Sequence, residues 1–284
     1  MEKCFEKKNN ILIPRQPLMV MATSHYYKVE IKEFGISHFY TFKVSPEMLQ
    51  KVQLVPDCAV DIMFQCGVEN PEAYCYGSLL SVQDTSYTNM LKVGNTVFGL
   101  RFLPGKAILP GGFPVSSLTA GSINLASILK DKSLINRISR CIDFSKQIEM
   151  FLSAYLLDYE KHQMNSRKFE ISNFIVDEIV NSRGDVKVED ISARMGYSTR
   201  YINKIFHEAL GMSPKMFIKI IRFQGVLSEI RNNTKMTDVA ADMGFVDQSH
   251  LGKEFKLFTG TTPKKYSEVL NGESFKKRLI ILPD

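Results

Sequence analysis

The sequence predicts an α+β protein of two domains: a β-rich domain closed by helices over residues 1–165, then an all-α domain over 166–284. Three observations carry that expectation. Short runs of β-branched and aromatic residues, bounded by Gly, Pro, Asn and Asp, recur up to about residue 120. Apolar spacing turns helical between Ile123 and His162. The stretch Asp190 to Tyr266 then states nearly the same pattern twice, with an offset of 48 residues between Asp190 and Asp238.

In the first domain, His25–Ile31, Ile36–Val44, Cys58–Cys66, Ala73–Val82, Ser86–Val93 and Thr96–Leu103 predict strands. Pro56-Asp57, Glu69-Asn70-Pro71 and Val93-Gly94-Asn95 supply turn chemistry between them. Regular short strands of this kind form an all-β sandwich or a barrel. From Ile123 to His162 the apolar positions, among them Leu134, Ile138, Ile142, Ile148, Phe151, Tyr155 and Leu156, predict two or three helices. Their faces either cover the open side of the β-domain or form a seam between two copies. Polar residues Glu160 to Lys168 read as the linker.

The repeated unit follows from local chemistry. Val188–Met195 predicts a short helix, and Gly196 stands just past its end, where a left-handed residue is favoured. Ser198 is placed to cap the next helix, Thr199–Leu210, whose buried stripe is Ile202, Ile205, Phe206, Ala209 and Leu210. The opposite face carries Arg200, Asn203, Lys204 and His207. In the second copy, Thr237 and Asp247 are the expected caps, Gly244 ends the first helix, and Leu251, Phe255 and Phe258 face inward. Gln248, Ser249, His250, Lys253 and Lys256 are left outside. Ser213-Pro214 and Thr262-Pro263 each set a cap before a proline at the first helical position. Pro214 to about Asn232 reads as one joining helix. A helix, a tight glycine turn and a second helix with a basic outer face is the helix-turn-helix pattern, and that second helix fits a DNA major groove.

Bulk properties narrow the classes. With 44% hydrophobic and 23% charged residues over 284 positions, the chain can build sizeable cores. A net charge of +6 is too modest to diagnose nucleic-acid binding, so the placement of the basic residues decides. Five cysteines with no C-x-x-C pair argue against a zinc site or disulfide framework, and suit a reducing cytoplasm. The charged start, with no apolar run behind it, does not read as a secretory signal, and no stretch approaches the ~20 apolar residues of a membrane helix. No cofactor is expected.

The residues from about Phe169 to Val269 resemble the C-terminal reading head of AraC/XylS-family transcription regulators. The resemblance rests on Gly244-Phe245-Val246-Asp247-Gln248-Ser249, on the two closings Phe206 to Pro214 and Phe255 to Pro263, and on the joining helix with Arg222. It implies two recognition helices entering successive major grooves. Arg200, Asn203, Lys204 and His207 then occupy the base-facing positions of the first, and Gln248, Ser249, His250 and Lys253 those of the second. Arg and Lys suit guanine, Asn and Gln suit adenine. Lys256, Lys264 and Lys265 suit phosphate. Gly252 inside the second helix and the lack of any aromatic but Tyr201 near the base-facing end of the first depart from the pattern.

Val55–Phe64 with Gly99–Gly105 is similar to cupin-like sensor domains found ahead of such heads, which implies a β-barrel with trailing helices and a small-molecule effector. The half holds only His25 and His38, without the clustered ligands a metal needs, so no metal is expected. Phe64, Tyr74, Tyr76, Phe98 and Phe102, with Arg101 as an anion contact, are candidate pocket residues. In the competing reading the aromatics are core and Arg101 pairs with Asp57 or Asp61. The resemblance implies duplex DNA as partner, RNA polymerase if the protein activates, and a homodimer as one assembly. Rival classes are a cupin-type enzyme on a DNA anchor, a protein-interaction domain on the same head that no ligand gates, and an alkyl-transfer repair protein. The enzyme needs a metal cluster or nucleophile–base pair that the sequence does not display, and the repair protein needs a four-cysteine zinc site.

Overall fold

A computed structural model describes residues 16–77, 86–163, 167–230, 235–270 and 277–283. The first part of the chain runs α1 (Pro17–Ala22), β1 (Tyr26–Glu30), β2 (Ile36–Lys43), α2 (Pro46–Lys51), β3 (Val60–Cys66), β4 (Ala73–Gly77), α3 (Ser86–Asn89) and β5 (Thr96–Phe102). Short 3-10 turns flank β6 (Ser122–Asn124), and α4 (Ser133–Arg140) and α5 (Phe144–Gln163) follow. The rest is helical: α6 (Arg167–Asn181), α7 (Val188–Met195), α8 (Thr199–Leu210), α9 (Pro214–Ile230), α10 (Met236–Asp242), α11 (Gln248–Thr259) and α12 (Pro263–Leu270). The terminal strand β7 (Leu279–Ile281) comes last.

The strands form one seven-stranded sheet in the order β6-β4-β3-β5-β2-β1-β7. All its pairings are antiparallel except β1 with β7, and among the described residues no ladder joins β6 to β7. Both faces are covered. Strand alternation puts Phe39, Ile62, Phe64, Cys75, Phe98, Leu100 and Phe102 in one buried cluster. Tyr40, Phe42, Met63, Tyr76 and Val97 lie in the other, with α1 residues Met19 and Val20. All seven residues of β3 are buried for that reason, and burial on both faces removes the polar positions that would mark a strand by alternation.

The helices α4 and α5 cover the first face. Phe151 meets Phe39 and Phe64 edge-on with ring centroids 5.9 and 6.2 Å apart, Phe144 meets Phe98 at 5.9 Å, and Tyr155 tilts against Phe102 at 5.7 Å. Ile142 and Leu157 point away and stay exposed.

Three expectations are corrected. Ser86–Val93 is not a strand: it opens with α3, because Tyr87, Met90 and Leu91 recur at helical spacing and turn into the second cluster. The expected linker 160–168 is largely helix, since α5 runs to Gln163 and α6 starts at Arg167. The α10 helix begins at Met236 with Lys235 as its cap residue, so Thr237 is inside it and bonds Asp238 instead. Of the strand expected over Ala73–Val82, residues 78–82 lie outside the described residues.

The helical part packs on the sheet domain through several unlike contacts. Cys58 Sγ lies 3.9 Å from Met212 Sδ, Gln224 Nε2 donates to the Pro56 carbonyl at 2.8 Å, and Lys106 pairs with Asp177 at 2.8 Å. Gly105 has φ +66, and a Cβ there would stand 2.7 Å from Val176, so only glycine admits this approach. No helix among the described residues is long and apolar enough to cross a membrane.

Candidate nucleic-acid interface

Each half of the repeat is built by short-range chemistry. Gly196 takes φ +70 after α7, and Ser198 Oγ accepts the Tyr201 amide at 3.2 Å to start α8. Gly244 takes φ +68 after α10, and Asp247 Oδ1 accepts the His250 amide at 2.7 Å to start α11. Gly211 and Gly260 end α8 and α11 at φ +73 and +71. Each cap satisfies an amide that the first turn leaves open and contributes about 1 kcal/mol.

One helix holds both halves. On α9, Phe217 meets Phe206 of α8 edge-on at 5.4 Å, while Phe223 contacts Phe255 and Phe258 of α11 at 5.4 and 5.0 Å. Arg222 lies over the Phe245 ring at 5.4 Å and donates to the Gly184 carbonyl at 2.9 Å. Gly225 lets α10 approach: a Cβ there would meet the Met243 sulfur at 2.9 Å. Rings locked in this way hold α8 and α11 in a fixed relation, because a packed interior resists small displacements.

The outer faces are open. Arg200, Lys204 and His207 on α8 are exposed, and Asn203 is half-buried with its Nδ2 donating to the Thr199 carbonyl at 2.8 Å. Lys204 stands 3.9 Å from Glu208, one turn on. On α11, Gln248, Ser249, His250, Lys253 and Lys256 are all exposed, and the His250 ring stands edge-on to Phe245 at 5.5 Å. Lys264 and Lys265 on α12 are exposed too. A groove of about 510 Å³ beside the start of α11 is lined by Lys235, Thr237, Gln248, Lys264 and Ser267. Its polar side chains offer hydrogen-bond donors and no carboxylate, which suits a phosphate backbone. Lys235 and Val246, which is 87% exposed in the turn before α11, belong to this surface without standing out in the sequence. An isolated apolar residue and a single lysine outside a periodic pattern carry no local signal.

The candidate ligand residues of the sheet do not share one pocket. Register pairs Phe64 with Phe98 and Ala73 on the first face, and Phe102 joins them in that cluster. Tyr74, Tyr76 and Arg101 point to the opposite face. Phe64, Phe98 and Phe102 are fully buried core rings. Arg101 Nη1 donates to Asp57 Oδ2 at 2.7 Å, its Nη2 and Nε donate to Asp61 at 2.6 and 3.1 Å, and Tyr40 Oη donates to Asp61 Oδ1 at 3.0 Å. Burial pushes the Asp57 carboxyl up, against the pull of Arg101. Burial also opposes the Arg101 charge, but Asp57 and Asp61 outweigh it and keep the guanidinium protonated. The competing reading of this arginine describes the geometry: it is an internal ion-pair centre.

Groups of three or more His, Cys, Asp or Glu that could hold a metal are not found among the described residues. Cys58, Cys66 and Cys75 are buried free thiols, and burial raises the pKa of each, which leaves them inert.

Comparison with known proteins adds the following. A family model described as a helix-turn-helix domain matches residues 191–268. An uncharacterized HTH-type transcriptional regulator of Staphylococcus aureus (strain MSSA476) is 25% identical over 143 residues, covering 47% of this chain and 19% of that protein. The chain thus spans about a fifth of the length of such a relative. A probable AraC family transcriptional regulator from Rhodopseudomonas palustris CGA009 is 23% identical at TM-score 0.33, covering 36% of this chain and 99% of that one. ToxT from Vibrio cholerae is 15% identical at TM-score 0.39, covering 87% and 98%.

Proposed function

We propose that the protein is a sequence-specific, DNA-binding transcriptional regulator of the AraC type under small-molecule control, a reading that starts from the helix-turn-helix domain matched over residues 191–268. The observation that carries the proposal is the pair of solvent-open, basic faces of α8 and α11, fixed on the single helix α9. In this reading the two helices enter successive major grooves on one side of a duplex, roughly 34 Å apart. Arg200, Asn203, Lys204 and His207 read bases from α8, and Gln248, Ser249, His250 and Lys253 from α11. Lys256, Lys264 and Lys265 hold phosphate, joined by Lys235. The chain divides near residue 165 into a controlling part and a reading part. It acts in the cytoplasm, contacts RNA polymerase if it activates, and pairs with a second copy through the α4–α5 side, where Ile142 and Leu157 are exposed.

Selection from a randomised duplex pool, followed by footprinting, tests this. Expected are two protected patches about one helical turn apart on one face of the duplex. Binding that enriches no sequence, or a single patch that Lys253→Ala leaves unchanged, would refute it.

A further inference from the structure

The two halves of the repeat differ by one residue. Asp190 and Gly196 recur 48 positions on as Asp238 and Gly244, but the cap Ser198 and the terminal Gly211 recur 49 positions on as Asp247 and Gly260. The turn before α8 is therefore Gly196-Tyr197-Ser198, and the turn before α11 is Gly244-Phe245-Val246-Asp247. The structure shows where the added residue goes. Phe245 turns inward, 8% exposed, with Arg222 over its ring and His250 at its edge, and its amide donates to the Ala240 carbonyl at 2.9 Å. On the other side, Asp247 Oδ1 accepts the His250 amide at 2.7 Å. Val246 lies between these two fixed residues with its side chain in solvent, directly ahead of the first turn of α11. Its β-branched side chain is stiff, so little freedom is lost when something packs on it.

A single exposed valine calls for no explanation by itself; the place of this one does. It adds nothing to the packing of the turn, where polar residues and glycine are usual. It stands at the end of α11 that reaches base edges when such a helix lies in a major groove. We infer that Val246 sets specificity there, by packing on the 5-methyl group of one thymine. The inference rests on the proposed DNA binding and names one base of the site. That methyl is the apolar feature a base pair shows in the major groove, and the other base edges show donors and acceptors that a valine cannot pair. Beside the start of α11, the groove lined by Lys235, Gln248 and Lys264 seats the phosphate strand and so brings this end of the helix close to the bases. The turn before α8 has no counterpart. Tyr197 packs on Tyr201 with ring centroids 5.0 Å apart, and its hydroxyl accepts from Arg167 at 3.0 Å. The two half-sites are therefore unlike, and the thymine belongs to the half under α11.

The test uses the full chain and the duplex selected from the randomised pool. Each thymine in the two protected patches is replaced in turn by deoxyuridine, which removes the methyl and keeps the base pair. At one thymine the unaltered chain should bind about fourfold more weakly, the worth of one buried methyl group. Val246→Ala should bind the thymine duplex about that weakly from the start, and should lose nothing more when the same thymine is replaced. The melting temperature of this variant should stay within about 2 °C of the unaltered chain, because the side chain is exposed. The sensitive thymine should lie in the patch that Lys253→Ala weakens and not in the one that Lys204→Ala weakens. Full affinity for every uridine duplex, or a loss that Val246→Ala retains at every sensitive thymine, overturns the methyl contact and leaves the proposed function standing. A Val246-dependent thymine in the Lys204 patch overturns the assignment to α11. A chain that enriches no duplex overturns the proposed function and this inference together.

Discussion

Replacing Arg101 by Met separates two roles for the central arginine of the sheet. In the structure its guanidinium is 6% exposed and donates to Asp57 and Asp61, which are 0% and 1% exposed. The variant keeps the volume and leaves two buried carboxylates without their cation. Asp61 retains the Tyr40 hydroxyl, and Asp57 retains the Gln16 amide at 2.7 Å and the Ala59 amide at 3.0 Å. Breaking a buried pair in this way costs about 3–5 kcal/mol. At about 2–4 °C per kcal/mol, the melting temperature falls by roughly 6–20 °C. The sign with pH follows from Asp57, whose carboxyl burial already pushes up: without the arginine its folded-state pKa stands further above the unfolded one, so the penalty is complete at high pH and is relieved as a proton binds. The loss in urea denaturation should therefore be larger at pH 8 than at pH 5, and Arg101→Met with Asp61→Asn should recover part of it. A loss below about 1 kcal/mol, the size of an exposed pair, would refute the internal role and return Arg101 to the ligand candidates.

Other outcomes follow from the same geometry. Lys204→Ala and Lys253→Ala should each weaken binding to a selected duplex, while Lys264→Ala, at a phosphate position, should lower the salt slope by ~0.9; anisotropy titrations at several salt concentrations check this, and unchanged affinity in both of the first two would remove the groove assignment. Burial first, then Lys28 and Arg101, hold the His38 pKa well below its ordinary 6.5. The unfolded chain therefore takes a proton that the folded one refuses, so stability is complete above pH 6.5 and falls below it by up to about 1.4 kcal/mol per pH unit. His38→Gln should flatten that part of the stability profile, and an unaltered profile would contradict the assignment. Deleting residues 277–284 removes β7, its three pairings with β1, the Leu282 amide bond to Lys28 at 2.8 Å and the Arg278 bonds to the Met21 and Thr23 carbonyls. With side chains only half-buried, the strand should be worth about 2 kcal/mol. The bared β1 edge should give larger species on gel filtration; unchanged stability and size would refute a structural role for the tail.

The repeat was readable because everything that builds it acts over a few residues. Gly196 and Gly244 sit where a left-handed turn is needed, Ser198 and Asp247 cap the helices that follow, and α7 and α8 begin and end where their spacing says. Helix α2 carried the same kind of signal, Ser45 before Pro46 with its hydroxyl accepting the Met48 amide, within a stretch dominated by strand signals. The sheet was less legible because its strands are buried on both faces, which hides alternation and lets Ser86–Val93 pass for a strand. The six pocket candidates failed to converge for a related reason: a one-residue step along a strand turns a side chain to the other face.

The sequence by itself determined two helix-turn-helix units with basic outer faces on a common helix, since caps, glycines and apolar periodicity are local instructions. Tertiary structure alone decided which distant residues meet. It brought Arg101 to an aspartate 44 positions away, laid the end of the chain beside β1, and left a cavity between the segment after β5 and the back of α8. Such meetings depend on strand register and on how finished elements pack, and no short run of residues encodes either.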